Sequence, residues 1–364
     1  MRRQILALSV ALFTAGLLPP GGTEKASAQT FRMRIQSSVP TSATQFEGLQ
    51  KFAERLAKMS GGRLKVEPFP VGAIVGLSEI LDATDKGVVE AGYAWAHAWS
   101  GKHPAGTLFG SAPLDQTVYF SWLYAGGGNE LLRAYYRDAL KTKVVGFALM
   151  GVGPDALGWF KAPFRTMDDL KRIRFRVPPG VPGEIYRHLG VPAVSLPGPE
   201  IIPAAQRGAI DAAEWGYPSD DMAFGFHQVW KNYYLQGLHQ VSDVGDLIIN
   251  EEFWKKLPPD LQAMIETATL AINLEHYALL VQRNGAALKQ LVEKEGVRLI
   301  NTPPEYFAEF PKATRQVMER YAARDPFFKK VWESQRQFTQ LIYPFWINNL
   351  KTNMFLVETV LREK

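Results

Sequence analysis

The 364-residue sequence contains no cysteine, which excludes disulfide bonds, thiolate nucleophiles and thiolate metal ligands. It also lacks a block of basic residues: the formal net charge of +5 is spread along the chain, which argues against nucleic acid as a partner. Beyond residue 28 the sequence has no uninterrupted apolar run of about 18 residues, so we predict no transmembrane span there.

Motifs of several enzyme classes are missing as well. The six histidines form neither H-x-x-x-H nor H-E-x-x-H, so the sequence gives no support to a zinc hydrolase. There is no G-x-S-x-G and no phosphate-binding P-loop. The glycine run at 126–128 is not followed by Lys-Ser or Lys-Thr, and it predicts a turn before a helix.

Residues 1–28 have the pattern of an export signal. Arg2 and Arg3 precede an apolar segment at 5–18, and Ala26-Ser27-Ala28 fits an A-x-A cleavage site. A membrane anchor is the alternative, but the segment is short for a span and two prolines with two glycines end it at 19–22. We therefore expect cleavage after residue 28 and a periplasmic location.

The remaining chain alternates between strand and helix patterns, which predicts layered α/β units with mostly parallel sheets. Its length of about 336 residues favours two lobes over a single core. Strands are predicted at 31–39, 64–69, 88–95, 144–150, 173–177 and from Ile210, and helices at 45–59, 77–86, 258–295 and from about residue 325.

Two segments indicate the chemistry of the protein. The stretch Gly208 to Trp215 ends in a carboxylate beside an indole, and the strand Arg174 to Val177 is basic. The carboxylate can bind a cation and a guanidinium can bind an anion, and no nucleophile is evident nearby. This combination favours a receptor for a small carboxylate over an enzyme.

The order of short motifs along the chain resembles the periplasmic solute receptors of TRAP transporters, and most of all their 2-oxo-acid and lactate branch. The resemblance implies a two-lobed clamshell, a long helix that crosses both lobes, a C-terminal helical extension that forms a homodimer, and membrane permease subunits as partners. The motifs that carry it lie at 37–40, 71–72, 87–90, 158–160, 174–177, 208–215, 220–221 and 326–332.

On this basis the chain divides into five parts. Residues 1–28 are the signal peptide, and residues 29–153 form lobe I with a return segment near 243–257. Residues 154–242 form lobe II, residues 258–295 the bracing helix, and residues 300–364 the dimerising C-terminal helices.

The resemblance also assigns site residues. Arg176 matches the arginine that binds the substrate carboxylate, for which a planar guanidinium can donate two parallel hydrogen bonds. Strand alternation puts Arg174 on the same face, so the pattern alone does not choose between them. Glu214 and Trp215 match the pair associated with the metal, through the Glu214 carboxylate and the Trp215 carbonyl, and the Trp215 indole would pack on the ligand.

Asp155, which we predict to contact both the substrate and the metal, lies where this branch has a neutral glutamine ligand, so the sequence departs from the pattern there. Two carboxylates favour a divalent cation, with Ca²⁺ preferred and Na⁺ the alternative. Asp155 as a turn residue after Pro154 is the competing interpretation. Gln240 falls at another polar position of the metal site. His97 and Trp99 fall where the branch has a tyrosine cluster, and we expect them to contact the substrate; the alternative is that these rings belong to the core.

Two other functions are compatible with these residues. A periplasmic lyase or hydrolase could use Asp155 and Glu214 as an acid and base pair, in which case candidate acids would be turned over. A sensor coupled to a chemoreceptor could use the same fold, and deletion of the transporter genes would separate uptake from sensing.

Overall fold

A computed structural model describes residues 29–110, 114–178 and 180–363, so the predicted export signal at 1–28 lies outside the described residues. Most strands are short and belong to one of two sheets. The strands are Phe31–Ser37 (β1), Leu64–Phe69 (β2), Ala91–Ala94 (β3), Val144–Val152 (β4), Gly158–Phe160 (β5), Phe175–Arg176 (β6), Ala193–Val194 (β7), Ala212–Ala213 (β8), Asn232–Tyr234 (β9), Asp243–Asn250 (β10) and Arg298–Leu299 (β11).

The helices cover both sheets and continue beyond them. They are Thr44–Met59 (α1), Ile80–Asp85 (α2), Gln116–Ala125 (α3), Gly128–Ala134 (α4), Met167–Leu170 (α5), Val181–His188 (α6), Gly198–Gln206 (α7), Pro218–Phe224 (α8), Phe226–Val229 (α9), Glu251–Lys256 (α10), Pro259–Glu293 (α11), Pro304–Ala322 (α12) and Pro326–Arg362 (α13). Short 3₁₀ turns lie at Leu77–Glu79, Ala96–Trp99 and Pro104–Phe109, and a π-helical turn at Tyr135–Ala139.

The first sheet has the strand order β2-β1-β3-β10-β4. Strand β1 runs parallel to β2 and β3, whereas β10 runs antiparallel to both β3 and β4. The expectation of a mostly parallel sheet is therefore wrong for this half. The reason is that β10 is the return of the chain from the second lobe, and it enters between β3 and β4 from the opposite end.

The second sheet has the order β11-β9-β5-β8-β6-β7. It is also mixed, because β6 is parallel to β7 and β8 while β5 is antiparallel to β8 and β9. Arg176 is the register partner of Ala213, so the carboxyl ends of β6 and β8 meet at one edge. Strand β8 begins two residues later than Ile210, because its pairing with β5 and β6 covers only Ala212 and Ala213.

Helix α11 is 35 residues long and packs against α1 and β4 of the first lobe and against α8 of the second. Two adjacent side chains make both contacts: Arg283 donates to Glu47 on α1, and Asn284 accepts from Ser219 on α8. The helix therefore joins the lobes. None of the described helices combines the length and the apolar composition that a membrane crossing requires.

Helix α13 is capped at its N-terminus by Asp325, whose carboxylate accepts from the Phe328 backbone N–H. The part of α13 up to Trp346 is packed on the body, and the Trp346 indole donates to Asp115 at 2.8 Å. Its last turns leave the body, and large apolar side chains such as Met354 (62 % exposed) and Phe355 (71 % exposed) face outward. This face is too apolar for a solvated terminal helix.

Candidate functional site

Arg176 and Glu214 lie side by side at the shared edge of β6 and β8, where ligands bind in open α/β sheets. Arg176 Nη1 donates to Glu214 Oε1 at 2.6 Å and to the Glu214 carbonyl at 2.9 Å. Arg176 is 6 % exposed and Glu214 1 %. Burial lowers the pKa of the Arg176 guanidinium, and the negative charge of Glu214 opposes this shift.

The remaining donors of Arg176 are largely committed too. Nε and Nη2 both donate to the Leu196 carbonyl, at 3.1 and 3.0 Å. Since a guanidinium has five N–H groups, one hydrogen on Nη2 is left for another acceptor. A carboxylate that contacts Arg176 at two points therefore has to replace one of these partners.

The structure distinguishes Arg174 from Arg176, which the sequence pattern could not do. Arg174 precedes β6, its side chain is about half exposed, and it forms a two-point ion pair with Asp211 at 2.7 and 2.8 Å. Arg176 is the buried one. Of the two, only Arg176 lies at the sheet edge beside Glu214.

The Trp215 indole forms an aromatic wall next to this pair. Its ring stacks on Phe224 with centroids 4.7 Å apart, and the Arg176 guanidinium lies 5.6 Å from the ring centroid. Gly198 allows this placement, because a Cβ at that position would lie 2.5 Å from the indole. Trp215 is held in position from three sides.

Asp155 lies next to Glu214. The Asp155 N–H donates to the Gln240 carbonyl at 2.9 Å, and the following Ala156 N–H donates to the Gly216 carbonyl at 2.7 Å. Burial raises the pKa of Asp155 well above its usual value, and the negative charge of Glu214 raises it further. The two carboxyls have ligand atoms within 4.8 Å of each other, a spacing at which like charges disfavour ionisation of both.

A third group completes the cluster, and the sequence analysis missed it. One ligand atom each from Asp155, Glu214 and His239 lie within 4.8 Å of one another, and all three residues are buried. Two carboxylate oxygens and one imidazole nitrogen at this spacing fit a metal ion. The only sequence signal was a histidine directly before Gln240, which no histidine-pair motif detects.

Two predicted residues, His97 and Gln240, meet at Asp243. His97 Nδ1 lies 3.7 Å from Asp243 Oδ2, and Gln240 Nε2 donates to the same oxygen at 3.3 Å. Burial raises the pKa of Asp243 well above its usual value, and the nearby charge of Asp155 adds to this. Asp243 thus belongs to the same polar region as Asp155, although the sequence analysis did not single it out.

Unlike His97, Trp99 is part of the hydrophobic core. It is 3 % exposed and belongs to the largest hydrophobic cluster, which extends through both lobes. Asp221, which the sequence analysis names only as part of a motif, is a buried carboxyl that accepts from the Trp159 indole and the Tyr233 hydroxyl at 2.9 and 2.8 Å. Burial raises the pKa of Asp221 to about 7 in spite of these two hydrogen bonds.

One buried contact connects the lobes beside the site. Gln45, in the first turn of α1, donates from Nε2 to the Tyr217 hydroxyl at 2.5 Å and to Asp220 at 3.4 Å. Gln45 and Tyr217 are 4 % and 3 % exposed. Tyr217 follows Trp215 by two residues, so this contact joins α1 to the segment that carries the site.

The profile of the bacterial extracellular solute-binding protein family 7 matches residues 35–325 of this chain. The chain belongs to this family. Over 94 % of both chains it is 33 % identical to the monocarboxylate 2-oxoacid-binding periplasmic protein of a Nostoc species. It is a solute-binding receptor of the TRAP type and not an enzyme, and the relatives give no support to the lyase or hydrolase alternative.

Solved structures of TRAP solute-binding proteins have the same fold. The protein of Bordetella bronchiseptica, a dimer with calcium and picolinate in its active site, is 27 % identical, with a TM-score of 0.85 over 92 % of this chain and 100 % of that one. The protein of Pseudoalteromonas atlantica, with sodium and pyruvate, is 25 % identical, with a TM-score of 0.82 over 90 % and 99 %. The predicted family and two-lobed fold are confirmed.

Proposed function

We propose that this receptor resides in the periplasm, binds a small 2-oxo or 2-hydroxy acid together with a cation, and delivers the acid to the membrane permease. One observation carries the proposal: the buried Arg176–Glu214 pair lies at the strand edge beside a second buried carboxyl, Asp155. The Nostoc relative that binds monocarboxylate 2-oxoacids supports this ligand class.

Arg176 binds the ligand carboxylate by an exchange of partners. Its free Nη2 hydrogen makes the first contact, and a second parallel contact requires Glu214 Oε1 to leave Nη1. Glu214 can leave when a cation compensates its charge. Because each event favours the other, cation and carboxylate should bind with positive coupling.

The cation lies between Asp155 and Glu214, with the Trp215 carbonyl and the Gln240 side chain as further oxygen ligands. Two buried carboxylates and a ligand carboxylate exceed the single charge of Arg176, and a divalent ion removes most of this imbalance. For an all-oxygen set Ca²⁺ is preferred and Na⁺ is the alternative. The Trp215 indole packs on the ligand carbon chain, and His97 borders the opposite side, whereas Trp99 stays in the hydrophobic core.

Calorimetry with pyruvate and lactate tests this function directly. The protein should bind at least one of the two with Ca²⁺ present, and prolonged incubation should return the acid unchanged. Absence of binding to a panel of 2-oxo and 2-hydroxy acids with either Ca²⁺ or Na⁺ would reject the ligand class. Turnover of any of them would restore the enzyme alternative.

We expect the contact between Gln45 and Tyr217 to slow ligand release. Replacing Gln45 by Ala removes a buried hydrogen bond worth about 1 kcal/mol, so the dissociation rate should rise about fivefold with little change in the association rate. Stopped-flow measurement of the intrinsic tryptophan fluorescence gives both rates. Gln50→Ala, at an exposed position of the same helix, is the matched control, and equal dissociation rates in both variants would contradict the prediction.

We also propose that the exposed apolar face of α13 forms a homodimer, as the resemblance implies. Phe355→Glu places a charge on this face and should convert a dimer to a monomer in light scattering, because burying one Phe contributes about 2 kcal/mol per subunit. Asn353→Glu, also at an exposed position but two residues before Phe355 and therefore on nearly the opposite side of the helix, should stay dimeric. A monomeric unmodified protein would reject the proposal.

A further inference from the structure

His239 is a buried imidazole whose inner nitrogen faces the two carboxyls of the site. The residue is 2 % exposed, and its Nε2 lies 3.6 Å from Glu214 Oε2. Nε2 makes no hydrogen bond among the described residues, although it is buried. Glu214 Oε2 is the oxygen that does not contact Arg176, since Arg176 is bound to Oε1.

The opposite nitrogen of His239 is anchored from behind. Nδ1 lies 3.2 Å from the Tyr186 hydroxyl, which lies 3.2 Å from the Tyr306 hydroxyl, and the Tyr306 hydroxyl accepts from the Leu238 N–H at 3.1 Å. This chain fixes the ring orientation and gives Nδ1 a partner. Histidines that bind metals are oriented in this way by a group on the other ring nitrogen.

We propose that His239 Nε2 is a third protein ligand of the cation, beside Asp155 and Glu214, and that it shifts the preference of the site from Ca²⁺ toward divalent transition-metal ions. This rests on the proposed cation site. Calcium prefers oxygen ligands, whereas imidazole is a good ligand for zinc, copper, nickel and iron. A set of two carboxylates and one imidazole therefore differs from the all-oxygen set that the sequence predicts.

The competing interpretation is that His239 is a cation itself and only balances Glu214. Glu214 already has Arg176 as a charged partner at 2.6 Å, whereas the 3.6 Å separation from His239 is longer than a hydrogen bond. Tyr186 is the only group that holds the ring among the described hydrogen bonds of His239. A metal ion between His239 Nε2 and Glu214 Oε2 accounts both for their 3.6 Å separation and for the lack of a hydrogen-bond partner of Nε2 among the described residues.

The test compares Co²⁺ and Ca²⁺ on untagged protein from which all metal has been removed. Calorimetry gives both affinities without any carboxylate ligand, and the visible spectrum of bound Co²⁺ reports nitrogen coordination. His239→Gln retains a polar side chain but removes the nitrogen. His276→Gln is the control, because His276 is also buried and its ring nitrogens have no hydrogen-bond partner among the described residues, but it lies on α11 near Gly48.

We expect His239→Gln to lower the affinity for Co²⁺ about 100-fold or more and that for Ca²⁺ by much less, since even the loss of a group behind a ligand costs about 10- to 100-fold. Tyr186→Phe, which keeps the ring, should lower Co²⁺ affinity by about tenfold. His276→Gln should match the unmodified protein in both affinities.

An unchanged ratio of Co²⁺ to Ca²⁺ affinity in His239→Gln, with an unchanged Co²⁺ spectrum, would overturn the proposal. If His239→Gln does not fold, the ratio of Co²⁺ to Ca²⁺ affinity is measured in Tyr186→Phe instead, and an unchanged ratio there overturns the proposal. If pyruvate binding depends on a cation but not on His239, His239 is rejected as a metal ligand while the proposed function stands. Co²⁺ binding that depends on His239 in a protein that binds no carboxylate would reject the proposed function alone.

Discussion

Arg176→Ala is expected to weaken pyruvate binding by about 2–5 kcal/mol, or roughly 30- to 5,000-fold, because it removes one partner of a buried charged contact. Arg176→Lys should also bind poorly, since an ammonium cannot reproduce the hydrogen bonds to Leu196 and Glu214 and still offer a fork to the ligand. Calorimetry at saturating Ca²⁺ measures both.

Arg174→Ala is the matched control, because Arg174 lies two residues earlier on the same segment and is paired with Asp211 at the surface. It should bind pyruvate like the unmodified protein. Loss of Arg176 also leaves Glu214 buried without its partner, which costs about 3–5 kcal/mol of stability, so thermal unfolding must first show that the variant is folded. Near-normal affinity in a folded Arg176→Ala protein would locate the anion contact elsewhere.

Removal of the cation should weaken ligand binding by a factor similar to that expected for Arg176→Ala. Without it, the ligand carboxylate enters a site that already holds Asp155 and Glu214 with one guanidinium, and the pKa of Asp155 is raised by this environment. We expect at least about a 100-fold loss of pyruvate affinity after exhaustive chelation, if the ion offsets about 3 kcal/mol of buried charge. Restoring Ca²⁺ should restore binding.

Two further measurements refine this prediction. Asp155→Gln removes one negative ligand and should shift the preference of the site from divalent ions toward Na⁺. Positive coupling also requires that pyruvate raise the affinity for Ca²⁺ by the same factor by which Ca²⁺ raises the affinity for pyruvate. Unchanged pyruvate affinity in chelated protein would mean that Asp155 is a turn residue and that the site contains no metal.

The fold was predictable to the extent that it depends on local pattern. The long helix predicted at 258–295 is found at Pro259–Glu293, and the tail helix predicted from about residue 325 begins at Pro326. The strands were harder, because β6 and β8 have two residues each and are defined by their neighbours rather than by their own periodicity. The antiparallel entry of β10 has no local signature at all.

By itself the sequence determined the absence of thiol chemistry, the alternation of helices and strands, and the two segments that carry Arg176 and Glu214. Only the tertiary structure decided that Arg176 rather than Arg174 is the buried arginine, that His239 joins Asp155 and Glu214, and that Gln45 contacts Tyr217 across the lobes. The physical reason is that periodicity specifies which face of an element is buried, whereas strand order and lobe packing bring together residues that lie far apart in the chain.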